Sequence, residues 1–311
     1  MLPAAIVAAH WERLLQHPPS PLNQLDWPGL SKYGVELYIK RDDQLLLEVF
    51  PGDQSFCGNK WRKLQYNLVA AKEQGCPSLL TFGGAFSNHI AATASAGAFF
   101  GFKTIGIIRG DRVEPLNRTL AHAERCGMEL HFWSRARFRE KDSPTVQQEL
   151  ALAFPAAYFL PEGGTNRLAF KGCAELAQEI LEQCSPDFVA VSCGTGGTLA
   201  GMIPVLDGKA EALGFSALKG DFHQALIQKW LFPEVYDHWT VFTEYHGGGY
   251  AKVSPVLRSF LATNSENGLV LDPIYTGKVL IGVIDRLEKG FFLPGSKICV
   301  VHTGGLQGVE I

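Results

Sequence analysis

Chemistry on a small charged molecule is suggested by four segments of this 311-residue chain. In the first, Cys193, Gly194, Thr195, Gly196, Gly197 and Thr198 follow Ser192 without interruption. A loop this poor in bulky side chains leaves its backbone amides open, and with a helix beginning behind it becomes an anion site suited to a phosphate. Leu199 stands where a dinucleotide-binding loop needs its third glycine or alanine, and no Gly-Lys-Ser/Thr sequence follows. The expected phosphate is therefore that of a small cofactor rather than a nucleotide. A glycine turn needed only to pack a helix on a sheet is the plain alternative.

The second segment runs from Cys57 to Leu64, with Gly58 and Asn59 suited to a turn and N-cap that start a helix at Lys60. A lysine in the first helical turn is disfavoured by the macrodipole, and burial in a cleft disfavours its charge further. Both effects favour the neutral amine that Schiff-base chemistry requires. Lys63 competes with Lys60 for this role, and Lys60, Arg62 and Lys63 also read together as an exposed basic face.

In the third segment, Thr81 to His89, Gly83 and Gly84 let the backbone approach a ligand, and Ser87, Asn88 and His89 are three consecutive polar side chains. Ser87 suits a substrate carboxylate or a proton and Asn88 an oxygen on an aromatic ring, while either also suits a helix N-cap. The fourth segment, Leu271 to Lys278, places Tyr275 and Thr276 at an expected turn into a helix; Tyr250, after Gly247, Gly248 and Gly249, is of similar character. A phenol beside a cofactor cation can titrate well below its ordinary value of about 10 and act as acid or base, although a tyrosine at a helix start also serves packing.

These segments need a scaffold that brings them together, and the alternation of apolar runs, glycine turns and helical stretches supplies an α/β one. Strands are expected at residues 35–40, 78–82, 103–108, 128–133, 157–160, 188–192, 240–243 and 297–302. Several are continuous apolar runs, as in parallel strands covered on both faces. The polar glycine loops after 78–82, 188–192 and 297–302, the last being Thr303, Gly304 and Gly305, then fall at strand carboxyl ends. Open α/β sheets bind ligands there, so three such loops point to one shared cleft. The length implies two lobes with open, mostly parallel twisted sheets and helices on both faces. Residues 1–63 plus 156–311 are assigned to a larger cofactor-binding lobe and 64–155 to a smaller one, with the active site between them. No role follows for residues 214–241.

Composition narrows the function. With 28 basic and 31 acidic side chains the net charge is −3, and no block of like charge suggests nucleic acid or an anionic membrane as partner. The one basic cluster, Arg135, Arg137, Arg139 and Lys141, alternates with other residue types and reads as a solvated face. Seven cysteines without a CxxC pair fit neither a disulfide framework nor a zinc ribbon, so reduced thiols and no metal site are expected. The apolar opening lacks a basic start and is interrupted at Trp11, Glu12 and Arg13, and no window nears the roughly 20 apolar residues of a membrane helix. The cytoplasm is the expected compartment.

Taken in order, the segments resemble the family of aminocyclopropane-carboxylate deaminase and D-cysteine desulfhydrase, pyridoxal-phosphate enzymes of fold type II, which includes the tryptophan synthase β subunit. The likeness spans nearly the whole chain, from Ser20-Pro-Leu22 and Ile39-Lys-Arg-Asp-Asp43 to His302-Thr-Gly-Gly305. Its specific part is the pair Gly58-Asn-Lys-Trp-Arg-Lys-Leu64 and Ser87-Asn-His89, with Pro161-Glu-Gly-Gly164 and Asp272-Pro-Ile-Tyr-Thr-Gly-Lys278 in support. The resemblance implies pyridoxal 5'-phosphate as cofactor, held covalently by Lys60, with Asn88 at the ring hydroxyl, the loop from Cys193 to Thr198 at the phosphate and Thr303 near the ring nitrogen. It also implies Ser87, Asn88, His89 and Tyr275 at the substrate, Lys60, Ser87, Tyr250 and Tyr275 in catalysis, and a homodimer.

Departures from the family pattern bear on the substrate, a small amino acid. Thr276 stands where the deaminase carries Glu, and His89 follows the desulfhydrase form; Phe86 replaces a Gln common to both, and Gly249-Tyr-Ala-Lys252 replaces a Tyr-Gly-Val-Pro segment. The expected activity is α,β-elimination from D-cysteine to hydrogen sulfide, ammonia and pyruvate. The alternatives are aminocyclopropane-carboxylate deamination to 2-oxobutanoate and ammonia, and a non-catalytic protein that binds the cofactor or an amino acid. A nicotinamide dehydrogenase lacks its glycine pattern.

Overall fold

Apolar runs that must be covered on both faces become parallel strands, and the strands here fall into two principal sheets. The structure, a computed structural model, describes residues 4–306 except Pro28 and Asn267; the first three and last five residues of the expected larger lobe lie outside that range. In chain order the strands are β1 (Leu22–Gln24), β2 (Glu36–Lys40), β3 (Leu46–Leu47), β4 (Phe56–Cys57), β5 (Ser78–Gly84) and β6 (Lys103–Arg109). They continue with β7 (Met128–Trp133), β8 (Ala157–Phe159), β9 (Phe188–Cys193), β10 (Glu211–Ser216), β11 (Trp239–Phe242) and β12 (Lys297–Val301). The larger sheet has the order β1-β2-β12-β9-β10-β11 and is parallel except for β1, which runs antiparallel to β2. The second sheet, β7-β6-β5-β8, is parallel throughout, and β3 and β4 form a short antiparallel ribbon.

The two-residue period of a strand sorts each central strand onto two helical layers. In β9, Val189, Val191 and Cys193 pack against the Arg167–Cys184 and Gly197–Leu206 helices, whereas Ala190 packs with Val279, Leu280 and Val283 of the Thr276–Glu288 helix. In the second sheet, Leu80, Phe82, Ile105 and Ile107 meet Phe138, Val146 and Leu150 on one face, and Ile108 meets Ile90, Ala94 and Leu120 on the other. Each fully buried aliphatic or aromatic side chain of this kind contributes about 1.5–3 kcal/mol.

All eight expected strands are present, with ends shifted by up to two residues. Sequence reading passed over β10 and the short strands β1, β3 and β4; in β10, Gly214 interrupts the apolar pattern. A Cβ at Gly214 would stand 2.6 Å from Leu199 Cδ2 and 2.8 Å from Cys193 Sγ, so the glycine is there to let the neighbouring helix and strand close in. Residues 214–241 thus acquire an architecture: the end of β10, the His223–Leu231 helix and most of β11.

Two further expectations are corrected. The crossing at residues 63 and 64 falls inside an unbroken helix, Gly58–Glu73, and residues 157–159 pair with β5, so the boundary at 155 leaves a strand of the second sheet outside the smaller lobe. The cluster Arg135, Arg137 and Arg139 is exposed as expected, but Lys141 is half-buried and lies 3.2 Å from Glu162. No helix among the described residues is long and apolar enough to cross a membrane.

Candidate active site

The carboxyl ends of β5, β6, β9 and β12 and the start of the Gly58–Glu73 helix surround one cavity of about 230 Å³, room for far more than a water molecule. Its walls include Lys60, Lys63, Ser87, Asn88, His89, Gly194, Thr195, Gly196, Gly197, Thr198, Tyr250, Tyr275 and Thr303. Among the expected site residues, Cys193 alone does not line it. Its side chain alternates into the core beneath β9, where burial pushes the thiol up to about 12, so only its main chain borders the loop.

The helix that carries Lys60 starts at Gly58 without a side-chain cap, so Asn59 is not the expected N-cap. Asn59 instead donates its backbone N–H to the Thr303 carbonyl at 3.2 Å and places Nδ2 3.4 Å from Thr198 Oγ1, joining this turn to two of the strand-end loops. Gly58 has φ +55, and a Cβ there would overlap the Thr303 carbonyl, which makes glycine obligatory at the junction.

Burial lowers the Lys60 amine to about 8, and among the described residues no hydrogen-bond acceptor or carboxylate engages its Nζ. Lys63 is lowered to about 7, by burial and then by the charge of Lys60, but its Nζ donates to Thr165 Oγ1 at 2.8 Å. That hydroxyl in turn lies 2.6 Å from Thr195 Oγ1. The pair of candidate lysines therefore divides into a free amine and a tethered one.

The expected exposed basic face is also corrected, because Arg62 is fully buried. Arg62 meets Asp42 at 2.9 Å and Glu179 at 2.6 Å, while Lys40 meets Glu179 at 2.7 Å and Ser20 Oγ donates to Asp42 at 2.7 Å. Burial opposes ionisation of Asp42, yet Arg62 holds its carboxyl below the usual range. Breaking such a buried pair leaves an uncompensated charge, so the network fixes the helix against β2 and the Arg167–Cys184 helix.

Across the cavity, Gly196 adopts a left-handed conformation at φ 73 and the Gly197–Leu206 helix begins immediately after it, which turns successive backbone amides toward one place. A Cβ at Gly194 would approach Tyr275 Cε1 to 3.2 Å, so side chains here would fill the cradle. The loop is pinned from behind by His223, whose Nε2 donates to the Gly194 carbonyl at 2.8 Å while Nδ1 lies 3.2 Å from Ser216 Oγ. Sequence reasoning missed His223, since nothing local marks a histidine whose partner lies 29 residues away. Ser192 Oγ borders the same cavity and is buried without a hydrogen-bond partner among the described residues. A free buried amine, an amide cradle and an orphaned hydroxyl fit a phosphorylated aldehyde with a polar ring.

Ser87 is the N-cap of the Asn88–Phe100 helix, accepting the Ile90 N–H at 3.3 Å, and its own hydroxyl proton remains available to the cavity that Asn88 also lines. His89 is buried beneath them. Thr81 Oγ1 donates to the Leu160 carbonyl and so accepts from His89 Nε2 at 2.8 Å, leaving Nδ1 as an unpaired acceptor. Burial, with the charges of Lys60 and Lys63, holds the imidazole well below its ordinary value and therefore neutral.

Without a cofactor cation beside them, neither phenol is acidified. Burial, then Tyr250 and Asp272, push Tyr275 well above 10, and burial raises Tyr250 as well, so both keep their protons. Asp272 supports the turn, its Oδ1 accepting the backbone N–H groups of Ile274 at 3.1 Å and Tyr275 at 2.5 Å, and burial raises its carboxyl to about 7. Tyr250 hydrogen-bonds Tyr275 and donates to the Phe86 carbonyl at 3.2 Å, bridging from one sheet's loops to the other's. Its turn is held by Lys278, whose Nζ donates to the Gly249 carbonyl at 3.1 Å.

A family model for pyridoxal-phosphate dependent enzymes matches residues 14–304. A mitochondrial protein of Arabidopsis thaliana, named as a bifunctional D-cysteine desulfhydrase/1-aminocyclopropane-1-carboxylate deaminase, is 32% identical over 95% of this chain and 78% of its own length. A D-cysteine desulfhydrase of Salmonella choleraesuis is 29% identical over 92% of each chain. The crystal structure of an ACC deaminase homologue superposes with a TM-score of 0.77 at 28% identity, covering 96% of this chain and 95% of that one. A match over nearly the full length means that the chain belongs to the pyridoxal-phosphate dependent enzyme family.

Proposed function

We propose that the protein is a lyase acting on D-cysteine, removing the Cα proton and the β-thiolate and, with one water, yielding hydrogen sulfide, ammonia and pyruvate. The observation that carries this reading is the unpaired Lys60 amine, lowered to about 8, in the cavity that it shares with the amide cradle and the protonated Tyr275 phenol. When bound, pyridoxal phosphate supplies the electron sink for the bond broken at Cα.

The residues then divide the work. Lys60 would hold the cofactor covalently, and its amine would carry the Cα proton. Amides of Gly194 to Thr198 would hold the phosphate, Asn88 the ring oxygen and Thr303 the ring nitrogen. Ser87 and the start of its helix receive the substrate carboxylate, with His89 behind them. Tyr275 delivers its proton to the departing thiolate, and Tyr250 aligns it.

Thr276 favours elimination over cyclopropane opening. Its Oγ1 lies 3.4 Å from that of Thr303, so two hydroxyls stand at the proposed ring-nitrogen site where a carboxylate would keep the pyridine protonated. The same reading has two lobes, with the return crossing moved beyond β8, a homodimer and the cytoplasm as compartment, to be checked by sedimentation and by cell fractionation. The decisive assay is release of hydrogen sulfide and pyruvate from D-cysteine by protein showing the cofactor's visible absorbance. Turnover of aminocyclopropane carboxylate to 2-oxobutanoate instead would transfer the assignment to the deaminases, and bound cofactor without turnover of any amino acid would leave a binding protein.

A further inference from the structure

The rim of the cavity holds a cation for which the proposed elimination has no task. Arg109 ends β6 and lines the cavity, with a terminal guanidinium nitrogen 3.4 Å from where a Cβ of Gly84 would stand. Among the described residues no carboxylate or hydrogen-bond acceptor engages the guanidinium, and its ring neighbour is Phe138, 5.8 Å away at the centroid. Glu162 is the one carboxylate among the described lining residues, and it lies 3.2 Å from Lys141. Arg109 lines the cavity together with Tyr250 and Tyr275 while staying open to solvent.

Arginine presents a rigid fork of donors that matches a carboxylate or a similar oxyanion. The substrate's own carboxylate is provided for at Ser87 and the start of the Asn88–Phe100 helix. We propose that Arg109 forms a subsite for a second anionic group on an amino-acid ligand, so that amino acids with an acidic side chain occupy the site in competition with D-cysteine, and bind there in preference to their uncharged isosteres. This rests on the reading of the cavity as the cofactor and amino-acid site. Because Arg109 is exposed, the preference is set by a partly screened, charge-assisted hydrogen bond, about tenfold in affinity and weaker at high salt.

The test uses the cofactor-loaded protein and two isosteric pairs, aspartate against asparagine and glutamate against glutamine, in both enantiomers. Dissociation constants are read by calorimetry and by the change in cofactor absorbance. The acidic member of at least one pair should bind about tenfold more tightly, and Arg109→Gln should abolish that preference while leaving the amide's affinity unchanged. Equal affinities within both pairs, or an Arg109→Gln loss shared equally by acid and amide, would overturn the subsite. If wild-type protein takes up no cofactor, the underlying reading falls with it, an outcome separable from parity measured on a protein that does.

Discussion

At the floor of the cavity, Lys60 rides on a helix whose adjoining residue Arg62 is fully buried between Asp42 and Glu179, and whose first turn is tied through Asn59 to the Thr303 carbonyl. At the rim, Tyr250 follows three consecutive glycines and reaches the Phe86 carbonyl through one hydrogen bond, with Phe86 itself 55% exposed and Arg109 exposed beside Gly84. The floor is therefore held by pairings whose loss would strand buried charge, and the rim by contacts that water can replace. A covalent anchor must keep its geometry, whereas a rim must admit and release a substrate. The same cavity satisfies both needs because its two sides are stabilised by different kinds of interaction.

Removing the anchor is the most drastic way to test that contrast. Lys60→Ala should lower kcat by roughly 10⁴-fold or more, and borohydride reduction followed by peptide mapping should label no residue in its place. Lys63→Met, which removes only the tethered amine, should keep both the label at Lys60 and the cofactor's absorbance. Labelling at residue 63 in wild-type protein would reverse the assignment of the two lysines.

Next in size is the buried network. Arg62→Met leaves Asp42 without its paired cation and Glu179 with Lys40 alone, and should destabilise the protein by about 3–5 kcal/mol in urea unfolding. A loss under about 1 kcal/mol would show that the floor is no firmer than a surface ion pair.

A gentler probe of the floor is pH. The unfolded chain keeps Lys60 protonated up to its ordinary 10.5, whereas the folded cavity releases that proton near about 8. Between those values the unfolded state binds more protons, so cofactor-free protein should gain stability as pH rises from about 8 to 10.5. Lys60→Met should remove that share of the slope in denaturant midpoints measured across the window.

The smallest effect belongs to the rim. Tyr250→Phe loses the hydrogen bond to the Phe86 carbonyl, so it should raise KM or slow kcat by roughly two- to tenfold and lower stability by no more than about 0.5–1.5 kcal/mol. A large stability loss from this variant would mean that the rim, too, is part of the rigid frame.

Much of the site was legible in the sequence because the signals are local. Gly194, Gly196 and Gly197 before an apolar helix describe an anion cradle within one stretch, Ser87 caps its own helix, and Lys60 stands in a first turn whatever surrounds it. The strand runs were legible for the same reason, since their period and their bounding turns are properties of neighbouring residues.

The tertiary structure decided the rest. It separated Lys60 from Lys63 through Thr165, which lies 102 residues from Lys63. It aimed Cys193 into the core, buried Arg62 between two acids, set His223 behind the cradle and buried the Tyr275 phenol beside Tyr250 and Asp272. Turn chemistry and helix ends depend on bonds a few residues long. Desolvation and pairing depend on which distant groups share a low-dielectric pocket, and only the folded chain brings those groups together.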